Sequence, residues 1–304
     1  ASGAPNGAGV GAVYVIFGSD QPFASPMSVN ALSGTNGLRI TGNATGRIGA
    51  AASIGFSRDL VGSTVDDLVI GAQSMTATQA GVYLFPGRTS GFLATEPASN
   101  GTVVIAPPGR NQFMVATGED FNGDGLDDFV VGADSPTGRL DLVLGGASTY
   151  AIAGPIGTGF FVSQTQGSGG MGAWASFALV PDMNGDGRAE LAVSEPFWDG
   201  GTPFTQDIGK VYVVFGMPTL AEPSVSLATL DRTNGFTITG NFTGGALGRA
   251  VSAADVNGDG LADLILGAPL ADDRGTDSGA GYVVYGKRDE AFPATMNVLD
   301  LNGA

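Results

Sequence analysis

The feature that most constrains this chain is a segment that occurs four times: a polar, glycine-rich loop that runs directly into an apolar stretch. The best copy is DVNGDGLADLILGA at 255–268. A unit repeated in this way indicates an architecture in which similar modules bury their apolar faces against their neighbours. The first aspartates of the four loops are Asp59, Asp120, Asp182 and Asp255.

Each unit predicts about four short strands and no helix. A second apolar run that ends in glycine follows each loop, as in VYVVFG at 211–216. Another segment, NGFTITG at 234–240, has a close copy at 36–42 and looser counterparts at 101–107 and 159–164. These runs have normal strand length and are separated by turn residues. The nearly continuous apolar run at 263–268 indicates a strand buried on both faces, whereas the alternating NGFTITG fits an outer strand.

We therefore predict an all-β protein, a β-propeller of four-stranded antiparallel blades. A sandwich would not require the same segment four times, and β-solenoid repeats are much shorter. The prediction is a single domain over residues 1–304. Its repeat units are approximately 26–87, 100–146, 156–216 and 235–286, with partial repeats at 1–18 and 296–304.

Composition excludes several functions. The net charge is −16, from 13 basic and 29 acidic residues, so the chain cannot neutralise a phosphate backbone and is not expected to bind nucleic acid. It has no cysteine for disulfide or thiolate chemistry, and no histidine, the commonest general base. No apolar run is long enough to predict a membrane span.

The loops are predicted to bind calcium. Carboxylate and amide oxygens stand at loop positions 1, 3, 5 and 9, and a backbone carbonyl is available at position 7. Calcium accepts six to eight such oxygens in flexible geometry, whereas magnesium requires a near-ideal octahedron. An EF-hand is a poor alternative, because it requires glutamate at position 12, where these loops are apolar. The predicted ligands are Asp120, Asn122, Asp124, Leu126 and Asp128; Asp182, Asn184, Asp186, Arg188 and Glu190; and Asp255, Asn257, Asp259, Leu261 and Asp263, with Leu126, Arg188 and Leu261 acting through their carbonyls.

The fourth loop, 59–67, departs from this pattern. Val61 and Ser63 replace the ligands at positions 3 and 5, so only Asp59 and Asp67 remain as strong ligands. We expect this loop to be metal-free and the chain to bind about three Ca²⁺ ions. Carboxylates gathered on one turn repel one another, so bound calcium should contribute to folding, and its role is expected to be structural.

The loop pattern, the following G-A-P turn and the later Y-V-V-F-G resemble the FG-GAP repeat of integrin α-subunit propellers and their bacterial relatives. The resemblance covers most of residues 26–286. It implies that each loop joins the innermost strand of a blade to the second, with strands at 249–254, 263–268 and 280–286 in the best copy. It also implies seven blades. The chain would then be a fragment of a longer propeller, a subunit completed by a partner copy, or a four-bladed ring closed unconventionally.

The leading functional hypothesis is a calcium-binding extracellular or cell-surface module for adhesion or binding of a protein or glycan, without enzymatic activity. Alternatives are a self-assembling surface-layer or filament subunit and an accessory domain of a secreted carbohydrate-active enzyme. A carboxylate pair in the long loops would suit a glycosidase or another cation. Phe197 and Trp198 could recognise a ligand or simply pack locally. The loop carboxylates considered are Asp199, Asp207, Asp272, Asp273 and Asp277.

Overall fold

The protein is described by a computed structural model. The described residues are 11–23, 25–42, 47–48, 54–76, 79–105, 113–133, 139–146, 160–163, 176–200, 206–218, 224–288 and 292–301. Within these ranges the structure consists of β-strands, turns and single-turn 3₁₀ segments, without an α-helix. The all-β prediction is confirmed. The 3₁₀ segments are Val29–Ala31, Ala98–Asn100, Leu227–Thr229 and Val298–Asp300.

The chain divides into two compact units. The first comprises Ala1–Val115 and Gly146–Thr158, and the second comprises Ala116–Gly145 and Gly159–Ala304. The single domain that the sequence suggests stays a prediction. Among the described residues, no helix has the length and apolar character needed to cross a membrane.

The first unit contains two sheets. One has the strand order β1-β2-β7, with β1 antiparallel to β2 and β7 parallel to β2. In the other, β5 pairs with β3 and β4 at one edge and with β6 at the other, and β8 lies outside β6. The strands are β1 (Ala12–Ile16), β2 (Gly37–Thr41), β3 (Arg47–Ile48), β4 (Ile54–Ser57), β5 (Asp67–Thr76), β6 (Gln79–Phe85), β7 (Thr95–Pro97) and β8 (Thr102–Ile105).

The second unit contains three sheets, with strand orders β9-β10-β11-β12-β16, β13-β14-β15-β17-β21 and β18-β19-β20. The strands are β9 (Phe113–Glu119, which begins just before the unit boundary), β10 (Asp128–Ala133), β11 (Arg139–Val143), β12 (Phe160–Ser163), β13 (Phe177–Val180), β14 (Glu190–Glu195), β15 (Lys210–Val214), β16 (Ser224–Ser226), β17 (Gly235–Thr239), β18 (Ala250–Ala254), β19 (Asp263–Ala268), β20 (Ala280–Val284) and β21 (Thr295–Asn297).

Four successive antiparallel strands are seen in β13-β14-β15-β17 and in β4-β5-β6-β8, as predicted, whereas β1-β2-β7 and β18-β19-β20 contain three described strands each. Three sheets carry an additional strand of three residues, called the fifth strand below, which runs parallel to the outer strand: β16 lies on β12, β21 on β17 and, in the three-stranded sheet, β7 on β2. These strands are too short to show alternation, so the sequence gives no sign of them. They cover an edge that would otherwise expose unpaired backbone groups.

Each sheet is offset from the sequence repeat. The outer strand β17 pairs with β15, with Val213 opposite Phe236, although in sequence it precedes β18 and loop 255–263 of the next repeat. The inner, second and third strands implied for the best copy are β18, β19 and β20, as expected. Second strands lie deepest: all six residues of β14 are buried. The complete loops therefore run directly into largely buried second strands.

Candidate metal loops

The first aspartate of each complete loop organises the turn. In loop 120–128, one carboxylate oxygen of Asp120 accepts hydrogen bonds from the N–H groups of Gly123 (2.6 Å) and Asp124 (3.2 Å). The other oxygen accepts from the N–H of Gly125 (2.8 Å). Gly123 and Gly125 have φ values of 77° and 89°, a left-handed conformation that glycine adopts without steric cost. Asp182 and Asp255 make the same three contacts in their own loops.

Loop positions 3 and 5 are linked to each other. In loop 255–263, the side-chain oxygen of Asn257 accepts from the N–H of Asp259 at 2.9 Å, and its amide group donates to the Asp259 carboxylate at 2.8 Å. Asp259 also accepts from the N–H of Leu261 at 2.8 Å. The side chains at positions 1, 3 and 5 therefore lie on one turn of backbone. This is the local order that a cation ligand set requires.

The residue at position 9 has a role that the sequence analysis missed. Asp128 is fully buried and accepts one hydrogen bond from the N–H of Phe121 and one from the N–H of Gly145, both at 2.8 Å. Asp263 bonds in the same way to Val256 and Gly286, at 2.9 Å each. This carboxylate thus fastens the loop to the end of the third strand. The sequence signal for this contact is the glycine that ends each third-strand motif.

Burial raises the pKa of the Asp128 carboxyl to about 7. The two backbone hydrogen bonds oppose this shift, while the negative charges of Asp120 and Asp124 add to it. A cation at this turn would lower the pKa of Asp128, because an opposite charge favours the ionised form of a carboxyl.

Glu190 differs from the aspartates at position 9. It is fully buried, and one of its carboxylate oxygens accepts from the N–H of Met183 at 2.8 Å. The other oxygen, Oε1, is buried without a hydrogen-bond partner. Carboxylate oxygens of Asp182, Asp186 and Glu190 lie within 4.8 Å of one another. Burial raises the pKa of Glu190 to about 9; the Met183 hydrogen bond opposes the shift, and the charges of Asp186 and Asp182 increase it.

This cluster fits a divalent cation, because a cation would give the partnerless Glu190 oxygen a ligand and offset the repulsion among three carboxylates. Over the described part of the chain, no other three acidic side chains approach this closely. The middle loop differs because glutamate has one methylene more than aspartate. This leaves one Glu190 oxygen to face the turn, whereas Asp128 and Asp263 have both oxygens bonded to backbone N–H groups.

Loop 59–67 keeps the fastening contact. Asp67 is fully buried and accepts from the N–H groups of Leu60 (2.9 Å), Val61 (3.1 Å) and Gly87 (2.7 Å). Burial raises the pKa of Asp67, and these hydrogen bonds oppose the shift. Asp59 has one buried oxygen without a hydrogen-bond partner, but among the residues that the structure describes it belongs to no three-acid cluster. That this loop is metal-free stays a prediction.

Backbone hydrogen bonds connect successive loops of the second unit. The N–H of Ala189 donates to the carbonyl of Asp120 at 2.9 Å, and the N–H of Ala262 donates to the carbonyl of Asp182 at 3.1 Å. The residue after each third-strand glycine does the same: Met217 donates to Phe121 and Lys287 to Met183, at 3.2 and 2.8 Å. The three complete loops therefore form one connected row.

The glycines that end the third strands are required by this row. A Cβ atom on Gly286 would lie 2.6 Å from the carbonyl oxygen of Ala262 and 3.0 Å from that of Met183. A Cβ atom on Gly216 would clash with the carbonyl oxygens of Ala189 and Phe121. Three backbone segments meet at each of these points, and only glycine leaves space for them.

Two arginines lie over neighbouring loops. Arg188 pairs with Asp186 at 3.0 Å, and its side chain lies against Gly123 of the preceding loop. Arg288 lies in the same way against Gly185. The N–H of Leu261 and the amide of Asn257 lower the pKa of Asp259, and the positive charge of Arg288 contributes to the same shift. The sequence analysis predicts a role only for the backbone carbonyl of Arg188. The ion pair between its side chain and Asp186 is a further finding.

The carboxylates in the long loops act as turn acceptors. Asp199 accepts from the N–H of Asp207 at 3.2 Å, and Asp272 accepts from the N–H of Asp277 at 2.8 Å. Asp273 lies 3.7 Å from the guanidinium of Arg274, and both side chains are exposed. Each of these contacts is made within its own loop.

Phe197 and Trp198 are half-buried and pack against cations. The Lys210 ammonium lies 5.0 Å from the Trp198 ring centroid and 4.7 Å from that of Tyr212, and Arg249 lies 5.7 Å from the centroid of Phe197. Burial lowers the pKa of Lys210, and the charge of the nearby Glu195 opposes this. The structure therefore shows local packing at both rings. The other tryptophan, Trp174, lies outside the described residues.

Comparison with protein-family models gives matches over this row of loops. The FG-GAP repeat model matches residues 173–214 and 247–284, and the FG-GAP-like repeat model matches residues 120–193. This chain carries FG-GAP repeats. The predicted resemblance is confirmed, and since these repeats imply a β-propeller, so is the predicted fold class. All three complete loops lie inside the matched ranges, and loop 59–67 lies outside them.

Several curated proteins are similar in sequence to parts of this chain. Phosphatidylinositol-glycan-specific phospholipase D of Dictyostelium discoideum is 28% identical over 201 residues, which is 61% of this chain and 21% of that protein. The Rattus norvegicus protein of the same name is 33% identical over 38% of this chain and 14% of its own length. Integrin alpha pat-2 of Caenorhabditis elegans is 33% identical over 58% of this chain and 14% of its own length. The chain thus spans about a fifth or less of these relatives.

Proposed function

We propose that this chain is a calcium-stabilised propeller module that binds a protein or glycan partner outside the cell or at its surface, with calcium in a structural role. The observation that carries the metal assignment is the Asp182, Asp186 and Glu190 cluster with its buried, partnerless Glu190 oxygen. The FG-GAP repeats and the similarity to an integrin alpha protein support the binding or adhesion role.

The side chains at positions 1, 3, 5 and 9 of each complete loop, with the position-7 carbonyl, would hold the ion. Bound calcium would supply positive charge to a turn whose carboxylates accept hydrogen bonds from backbone N–H groups. The Asp186 to Arg188 ion pair already supplies part of this charge in the middle loop. Because the loops are joined by backbone hydrogen bonds, ordering one loop would stabilise its neighbours.

The proposal assigns no catalytic role to the chain. The sequence has no histidine and no cysteine, and the long-loop carboxylates of Asp199 and Asp272 accept hydrogen bonds from backbone N–H groups of their own loops. Similarity to phosphatidylinositol-glycan-specific phospholipase D covers 21% or less of those proteins, so the activity in that name is not assigned to this chain. An extracellular location suits the loops, because calcium sites of moderate affinity fill at extracellular concentrations.

The test is thermal unfolding with calcium and with excess EGTA. One site at 100 times its dissociation constant stabilises the native state by about 2.7 kcal/mol. At about 2–4 °C per kcal/mol for a unit of this size, calcium should raise Tm by roughly 5–10 °C. An unchanged melting curve in excess EGTA would contradict the metal assignment.

A matched pair of variants tests the residues. Asp186→Asn removes one carboxylate from the cluster and should reduce the bound calcium, measured by equilibrium dialysis and elemental analysis, by one ion per chain. Asp20→Asn makes the same change at an exposed position outside the loops and should leave the count unchanged. Equal calcium content in both variants would exclude the middle loop as a site.

A further inference from the structure

A cavity of about 700 Å³ lies in the first unit, between the sheet that contains β1 and β2 and the sheet that contains β5 and β6. Its apolar wall includes Phe17, Leu38, Phe56, Phe85 and Phe92. Cavities of this size, lined by apolar and aromatic side chains with a few polar groups, are typical of small-molecule sites. The three complete metal-type loops are all in the second unit, so this cavity is separate from the function proposed above.

The second unit has phenylalanine at the position equivalent to one residue of the cavity wall. The pairing of β15 with β17 places Val213 opposite Phe236, and the pairing of β1 with β2 places Val15 opposite Leu38. Phe236 therefore corresponds to Leu38. The Phe236 ring stacks on Phe292, with centroids 4.4 Å apart and ring planes within 6°. Leucine is the smaller side chain, so this position of the cavity wall carries an aliphatic group where the second unit has a stacked ring.

A second substitution makes one side of the cavity polar. The parallel pairing of the fifth strands aligns Glu96 with Met296, which packs against the second unit's core. Glu96 is buried and accepts hydrogen bonds from Arg88, from the N–H of Leu93 at 3.0 Å and from Asn100 at 2.9 Å. The cavity therefore carries a fixed polar group where its counterpart is apolar.

The charges at this wall balance each other. The Arg88 guanidinium pairs with Glu96 and lies 4.5 Å from the centroid of Phe92. Phe17 packs on the same ring, with centroids 5.0 Å apart. A charged ligand would have to lose its hydration beside an ion pair that is already complete, which is unfavourable. The wall therefore favours an uncharged molecule over a charged one.

We propose that this cavity binds a small, uncharged, planar aromatic molecule. The second unit supplies the precedent for the chemistry, because a phenyl ring is the group that packs at the equivalent place. Aromatic rings prefer offset-stacked or edge-to-face contacts with other rings, and the cavity wall provides four phenylalanines for such contacts.

The probe is N-phenyl-1-naphthylamine, an uncharged aromatic dye whose fluorescence rises in apolar surroundings. Wild-type protein should bind one dye per chain with saturation. Leu38→Phe, which copies the second unit, should weaken binding at least ten-fold, while Leu93→Phe should bind as wild type. Leu93 is 55% exposed and does not line the cavity, so it receives the same ring without filling the site.

Two further measurements keep the result interpretable. Far-ultraviolet circular dichroism and Tm establish that Leu38→Phe is folded; if it is not, Phe56→Ala replaces it, because Phe56 is 55% exposed and its truncation should weaken binding several-fold. The anionic 8-anilino-1-naphthalenesulfonate should bind at least ten-fold more weakly than the uncharged dye. The proposal is overturned by absence of saturable dye binding, by equal affinity of Leu38→Phe and Leu93→Phe, or by tighter binding of the sulfonate.

Discussion

Replacing Gly286 with alanine should test whether the row of loops depends on close backbone approach. The added Cβ would meet the carbonyl oxygens of Ala262 and Met183, neither of which can rotate away as a flexible side chain could. Three hydrogen bonds cross this point: Gly286 to Asp263 (2.9 Å), Lys287 to Met183 (2.8 Å) and Ala262 to Asp182 (3.1 Å).

The expected cost follows from these contacts. Each hydrogen bond contributes about 1 kcal/mol net, and overpacking typically costs about 1–3 kcal/mol. Loss of some of these bonds together with the strain should lower the free energy of unfolding by about 3–5 kcal/mol. For a unit of this size, that corresponds to a decrease in Tm of roughly 6–20 °C.

The assay is differential scanning fluorimetry with calcium and with EGTA, supported by urea unfolding. The matched control is Gly281→Ala in β20, the strand that leads to Gly286, where the new Cβ would have no heavy atom within 4 Å. The control should melt as wild type. If Gly286→Ala and Gly281→Ala melt at the same temperature, the loops are not held together by this contact and the reasoning is wrong.

Three other perturbations should separate structural roles. Asp67→Ala leaves three backbone N–H groups without their acceptor and should cost at least about 3 kcal/mol, equally with calcium and with EGTA, in thermal melts; a calcium-dependent cost would make Asp67 a ligand. Phe292→Leu removes a stacked ring and should cost about 1–3 kcal/mol in urea unfolding, whereas Phe23→Leu, at a residue 54% exposed, should cost nothing measurable; equal costs would contradict the stacking argument. The third perturbation concerns Glu96: burial alone would raise its pKa, but hydrogen bonds from Asn100 and Leu93 and the charge of Arg88 hold it below its usual 4.5. Its ionised form stabilises the fold above pH 4.5, and this contribution is lost as pH falls through the lower folded pKa. When the pH is lowered below 4.5, the free energy of unfolding in urea should therefore fall less for Glu96→Met than for wild type. Parallel pH profiles of the two proteins would refute this.

The sequence predicts the fold class because one unit recurs with turn residues and apolar runs in constant order. The resemblance to FG-GAP repeats also implies which strands of the best copy are inner, second and third, and the nearly continuous apolar run at 263–268 predicts the burial of the second strand. The fifth strands escape prediction, because Thr95–Pro97 and its counterparts are short and their pairing partner is distant in sequence. These strands cover the sheet edges only because the folded chain brings each of them beside an outer strand.

The sequence predicts one role for the carboxylate at loop position 9, that of a metal ligand, and the structure adds a second, that of a hydrogen-bond acceptor for the backbone. Spacing identifies Asp128 and Asp263 as oxygen donors, but it cannot show that backbone N–H groups engage both of their oxygens. Glu190 resembles a weaker copy in sequence, yet it belongs to the acid cluster that the structure assembles. Side-chain length, which sequence spacing ignores, decides this difference.

The fifth strands also determine how this protein can be divided. β16 belongs to the sheet of β9–β12, but the chain reaches it only after passing through β15 of the following sheet; β21 likewise returns from β20 to β17. Neighbouring sheets of the second unit are therefore interlaced by covalent chain, and none can be excised at a repeat boundary without removing a strand from another. This unit should lose its structure in one cooperative transition, and any graft of it into another protein should keep its three sheets together.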